Sequence, residues 1–362
     1  MKLFECQHCG QLLFFENTQC ERCGRRLGYL PDRTILSALE PGALEPGLEP
    51  GGSETWQALA APGEPFRFCA NAAHEVCNWM VPAGSGDAYC RACRHNRTIP
   101  NLDAPGNRLL WQRLEAAKHR LIYGLLRLGV PLVSLHDAPG RGFVFDFLEG
   151  SDTSAVNGLP VTTGHARGVV TIDIAEADDA ERERHRLDMV ERYRTLLGHF
   201  RHESGHHYWE VLVRGGVWHA AFRGLFGEER GDYAAALASY YAEGPPADWQ
   251  EHHVSGYAAA HPWEDFAETW AHYLHIVDTL ETADSFALGI HPRVGHHPTL
   301  GVTIDFDPYR ERDFDALMAA WLPVTYAANS LNNSMGQPDL YPFVLAPDVI
   351  GKLRFVHGLV HN

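Results

Sequence analysis

Apolar positions fall at helical spacing through the middle and end of the chain. Leu110, Leu114, Leu121, Leu125 and Leu128 mark one stripe, which predicts a long amphipathic helix opening at or just before Asn107 and ended by Gly129 and Pro131. Two β patterns follow: the apolar run FVFDFL at 143–148, and GVVTIDI from Gly168 to Ile174, where Val170, Ile172 and Ile174 alternate with Val169, Thr171 and Asp173. A helix-rich stretch is expected from about Ala177 to Leu212, closed by Gly215 and Gly216. Further helices are expected near Asp232–Glu243, from Pro262 to about Leu280, over Asp313–Ala328 and near Pro347–Val360, with the polar run NSLNNSMGQP read as a loop before the last. Strands come first and helices dominate afterwards, so residues 101–362 read as one α+β, helix-rich unit.

The first hundred residues follow a different logic, because all eight cysteines lie within residues 1–93. Cys6, Cys9, Cys20 and Cys23 form two CxxCG knuckles, CQHCG and CERCG, each offering two thiolates on a tight turn followed by glycine. Residues 1–30 thus read as a four-cysteine zinc ribbon with short strands at Leu12–Phe15 and Arg26–Leu30. Cys69, Cys77, Cys90 and Cys93 make a second, looser set with one CxxC knuckle, read as a second four-cysteine zinc module over 65–100; His74 competes as a ligand there. Both sites are expected to be structural, since four protein ligands leave zinc no open position. Residues 31–64 contain ALEPGALEPGLEPGG, Ala38 to Gly52, whose Pro/Gly content predicts an exposed linker. A pair of disulfides is the competing reading of the cysteines. It is disfavoured because the start, MKLFECQHCG, has no apolar export signal, which also implies a cytoplasmic location.

The net charge of −16 is concentrated away from the cysteines: residues 1–100 carry −2 and the remainder −14. An acidic body repels phosphate backbones, which argues against nucleic acid as a partner despite Arg22, Arg25, Arg26, Arg91, Arg94 and Arg97 among the cysteines. No apolar run is long enough to predict a membrane span.

The densest chemistry lies in HFRHESGHHYWE, His199 to Glu210. His202 and His206, at i and i+4 on a helix, face one side and can grip one metal ion. Glu203 beside them can take a proton from water in the same cleft, the logic of HExxH in zinc hydrolases. A catalytic zinc takes a third protein ligand and leaves the fourth position for water. The metzincin pattern fails, because Trp209 and Leu212 stand where it needs glycine and histidine. Asp232, His252, His253, Glu264 and Glu268 remain as candidates. Glu264 and Glu268 share a helix face, so one carboxylate can bind the metal while the other accepts the Nδ1–H of a ligand histidine. Glu264 is assigned to the metal and Glu268 to supporting a histidine. His199 and His207 are read as lining or surface, His272 and His275 as packing or solvent-facing, and Asn329, Asn332 and Asn333 as helix caps or cleft residues.

HESGH followed 58 residues later by EDFAE resembles the gluzincin metallopeptidases, particularly relatives of anthrax lethal factor. More broadly the chain resembles a bacterial family of zinc-binding metallopeptidases with an N-terminal zinc ribbon, from CQHCG through CNWMVP and CRACRHNRTIP to QPDLYPF. The resemblance implies a zincin-like (gluzincin) fold behind the ribbon modules. It also implies a tyrosine seven residues before the glutamate ligand, here Tyr257, whose hydroxyl supports the tetrahedral intermediate. The implied activity is zinc-dependent peptide-bond hydrolysis on a peptide or protein substrate. Zinc on His202, His206 and Glu264 lowers the pKa of water toward about 7, and Glu203 is the general base. The implied substrate-pairing strand is 169–174. Three zinc ions per chain are expected, one catalytic and two structural, with the ribbons recruiting substrate or a protein partner. The competing function is a noncatalytic adaptor that binds partners through its ribbons on a zincin scaffold; the presence of Glu203, which a scaffold does not need, favours the enzyme.

Overall fold

The runs of buried and alternating residues fold into two sheets and a helical layer in the computed structural model, which describes residues 1–42, 54–150, 163–188, 193–293 and 300–362. Strands β1 (Phe4–Glu5) and β2 (Leu12–Leu13) pair antiparallel around the first knuckle. Five strands then form an antiparallel sheet in chain order: β3 (Leu27–Leu30), β4 (Ile35–Pro41), β5 (Trp56–Ala58), β6 (Pro65–Phe68) and β7 (Met80–Pro82). The expected linker at 31–64 is therefore overturned in part, since β4 and β5 both fall inside it. Leu36, Ala38, Leu39, Trp56 and Ala58 are buried, and this apolar content on either side of the Pro/Gly repeat makes strands of its flanks. Most of the repeat lies outside the described residues. Because the sheet runs unbroken between the two cysteine sets, they belong to one continuous body.

The second sheet has the order β10-β11-β9-β8. Strand β8 (Asn96–Thr98) pairs parallel with β9 (Val144–Leu148), which pairs parallel with β11 (Val169–Asp173); β10 (Gly164–Ala166) closes the sheet antiparallel to β11. The expectation that 169–174 is the substrate-facing edge is corrected here: β11 is paired on both sides and β10 is the edge. The short GHA strand carries no alternation that the sequence could have announced.

Helix α1 (Asn107–Leu128) makes the crossover between β8 and β9, with Gly106 at its N-cap and Gly129, at φ 71°, ending it. Parallel strands need such a connection. The stretch from Ala177 divides into α2 (Asp179–Asp188) and α3 (Leu196–Tyr208), because Thr195 starts α3 afresh by accepting a hydrogen bond from the Gly198 N–H. Next come α4 (His219–Phe226), α5 (Tyr233–Glu243), α6 (Trp249–His252) and α7 (Pro262–Ser285). A small hairpin of β12 (Gly289–Ile290) and β13 (Val302–Thr303), then α8 (Phe314–Ser334) and α9 (Pro347–Val360), complete the described chain. The loop expected at NSLNNSMGQP is also corrected, since α8 runs through its first half. Asn329 exchanges hydrogen bonds of 3.0 Å with both backbone groups of Tyr341, which ties the following segment back onto α8. Buried residues from the ribbon strands, α1, the second sheet and α3, α7 and α9 form one continuous core. Among the described residues, no helix is long and apolar enough to cross a membrane.

Candidate metal centre

Helices α3 and α7 cross where Gly205 meets Ala267. A Cβ added at Gly205 would lie 2.8 Å from the Ala267 Cα, so only the missing side chain lets the backbones approach this closely. That crossing sets HESGH against EDFAE. The Glu264 Oε2 atom lies 3.0 Å from His202 Nε2 and 3.6 Å from His206 Nε2. Zinc bonds of about 2.0–2.2 Å to nitrogen and oxygen imply tetrahedral edges of about 3.4 Å, so the three donors have the right separation. Glu264 Oε2 is buried without a hydrogen-bond partner among the described residues, even with His202 Nε2 so near. Convergent lone pairs around an orphaned buried carboxylate oxygen suit a cation. The donor set therefore fits zinc.

Supporting contacts fix the donors. His202 Nδ1 donates to Glu268 Oε1 at 2.6 Å, which leaves Nε2 bare and turned toward Glu264. Ser255 Oγ donates to the other Glu268 oxygen at 2.6 Å. Burial alone would raise the Glu268 acid, but the hydrogen bond and charge of His202 prevail and hold it at about 2. Glu268 thus stays a carboxylate. Glu203 is buried, its Oε2 has no partner among the described residues, and burial pushes its carboxyl above the ordinary range. A carboxylate with a raised pKa is suited to exchanging a proton near neutrality.

Tyr257 opens a short 3₁₀ turn before α7, its ring 6.0 Å from that of His202. Sequence reasoning missed Tyr233, the first residue of α5, whose hydroxyl donates to Glu264 Oε1 at 2.5 Å. Thirty-one positions separate the two, and no local spacing signals the contact. Trp263 packs its ring 5.2 Å from that of His206. His165, on the edge strand β10, stacks against His206 at 6.1 Å, so that edge faces the centre.

The remaining candidates lie elsewhere. Asp232 caps α5, His252 pairs with Asp348 at 2.6 Å, and His253 lies 3.1 Å from Asp265. His199 sits beside Glu176 and His207 packs on Phe143. His272 donates or accepts at the Tyr341 hydroxyl, and His275 packs on Trp321 and Tyr341. All eight cysteines are free of disulfides. Cys6 and Cys23 stand 3.8 Å apart, Cys9 and Cys20 3.6 Å, and Cys77 and Cys90 3.7 Å between sulfurs. Zn–S bonds of about 2.3 Å imply edges of about 3.8 Å, so both sets fit zinc, while a disulfide needs about 2.05 Å. Gly10 at φ 72° and Gly24 at φ 71° close the two knuckles of the first set. His74 packs against Trp111 instead of joining the second set.

A family model described as "Putative zinc-binding metallo-peptidase" matches residues 107–359, and a zinc-ribbon domain matches residues 3–104. Uncharacterized proteins of Mycobacterium tuberculosis (strain ATCC 25618 / H37Rv) and Mycobacterium bovis are each 38% identical over 361 residues, covering 99% of this chain and 95% of theirs. No solved structure matches the chain.

Proposed function

The chain belongs to the zinc-binding metallo-peptidase family whose model spans 107–359, and from that premise we propose that it hydrolyses peptide bonds at a gluzincin-type centre of His202, His206 and Glu264. The observation that carries this reading is the convergence of those three donors beside a buried Glu203 oxygen that has no partner among the described residues. When bound, zinc supplies Lewis acidity and water acidified toward about pKa 7.

The chain's own residues do the rest. Glu203 accepts the proton of the attacking water and hands it to the departing amine nitrogen, so that acid and base duties fall on one carboxyl. Glu268 keeps the His202 ring in the tautomer that presents Nε2. The Tyr233 hydroxyl holds the outer oxygen of Glu264, which leaves Oε2 for the metal. Tyr257, beside His202, is placed to donate its hydroxyl to the oxyanion, a contribution of about 3 kcal/mol for a well-aligned donor. The exposed edge of β10 offers main-chain hydrogen bonds to an extended substrate, in place of the 169–174 segment.

Glu203→Ala should retain all three zinc ions and lose cleavage of a peptide library by at least 100-fold, as expected for removing a general base. Zinc counting and product profiles on the same samples check it. Identical profiles for wild type and variant would put the noncatalytic adaptor in its place.

A further inference from the structure

The second cysteine set has a fifth donor nearby, on an element outside the ribbon. His119 sits mid-way along α1, buried at 4% exposure, within the peptidase match. Its Nδ1 lies 2.6 Å from the Glu115 backbone carbonyl. A carbonyl only accepts, so Nδ1 carries the proton and Nε2 is left with its lone pair. That lone pair faces sulfur: Nε2 is 3.3 Å from Cys77 Sγ and 3.8 Å from Cys93 Sγ. A tetrahedral zinc with bonds of about 2.3 Å to sulfur and 2.0–2.1 Å to nitrogen has S···N edges of about 3.6 Å. The two measured separations bracket that value.

Glu115 is the other oxygen donor in reach, 3.7 Å from Cys93 Sγ. It is already engaged. Lys118 Nζ donates to both its oxygens at 2.8 and 2.7 Å, and Asn96 Nδ2 and Trp111 Nε1 donate to Oε1 at 2.8 and 3.2 Å. Those contacts neutralise the carboxylate and occupy its lone pairs, whereas His119 Nε2 has only the two sulfurs before it. Five donors therefore surround a metal that closes with four. Cys77 is the sulfur nearest Nε2, the least buried of its set, and part of the loose Cys-x7-Cys half.

We propose that His119 is a ligand of the second ribbon zinc, taking the vertex of Cys77 beside Cys69, Cys90 and Cys93. The zinc would then bond ribbon and peptidase directly, since three ligands come from the 3–104 match and one from the first helix of the 107–359 match. The assignment is independent of the peptidase activity, and its test reads the metal itself.

Cadmium-113 NMR of the full chain loaded with cadmium gives a signal for each site, and a nitrogen ligand moves a thiolate-rich signal upfield. The wild type should show one four-thiolate signal and one three-thiolate, one-nitrogen signal. His119→Ala should return the latter to the four-thiolate position and leave the former in place. Two four-thiolate signals in the wild type, or no movement on substitution, would overturn the assignment. Should His119→Ala fail to fold, Cys77→Ser decides: three zinc ions per chain support the proposal, because His119 still completes the tetrahedron, and two overturn it.

Discussion

The contact between Gly205 and Ala267 is the narrowest tolerance in the catalytic half. HESGH reads as a metal motif through its two histidines and glutamate, yet its glycine decides how near α7 can come. Gly205→Ala places a methyl group 2.8 Å from the Ala267 Cα, which cannot move without shifting a helix. Such overpacking costs about 1–3 kcal/mol. We expect the variant to lose the His202–His206–Glu264 zinc while keeping both ribbon zincs, as read by metal counting alongside urea unfolding. Three zincs and an unchanged midpoint would count against this account of the crossing. Tyr233 and His119 mark the other side of the residue scale. Each touches a metal-site group through tertiary packing, and neither could be found from spacing.

Helix α7 carries Glu264 and Glu268 on one side and two buried histidines further along. Burial holds His272 down to about 4 and lowers His275 well below its usual value. Both are neutral in the fold and charge in the unfolded chain once the pH drops below about 6.5. The unfolded state then binds more protons, so the stability present in full above pH 6.5 is lost as pH falls toward 4. His272 alone should account for about 2 kcal/mol between pH 7 and pH 5. Urea midpoints at the two pH values should diverge less in His272→Asn than in the wild type; an equal fall in both would remove His272 as the cause. Elements with long local periodicity, α1, α7 and α9, were legible from the sequence because a stripe needs no partner to be seen. The edge strand β10 was not, since three residues carry no period. The strands β4 and β5 were hidden because the Pro/Gly repeat between them dominated the local composition. The end of α8 misled for a related reason: its asparagines read as loop, but Asn329 satisfies Tyr341 across a tertiary contact.

At the scale of the molecule, ribbon and peptidase share one core. Phe15 and Tyr29 of the ribbon pack their rings 5.4 and 6.3 Å from Tyr123 of α1, and Trp79 lies 5.1 Å from His119. Two bodies joined this way should melt together. Calorimetry of the zinc-loaded chain should give one transition, and Cys20→Ser, which breaks the first ribbon site, should lower its midpoint as a whole. A separate transition for the peptidase, unmoved by Cys20→Ser, would show that the shared core does not couple them. The sequence divided the chain at residue 100 because its cysteines stop there, while the packing does not. The pairing of β8 with β9 extends this to the order of synthesis. The ribbon leaves the ribosome with both cysteine sets and β8 well before β9 exists to pair with it. A metal-loaded ribbon presents β8 as a finished template, and β9, β11 and β10 add to it in turn as they are made. A cell short of zinc would then fail to build this enzyme's sheet during translation, and the shortage would register as lost protein before it registered as lost catalysis.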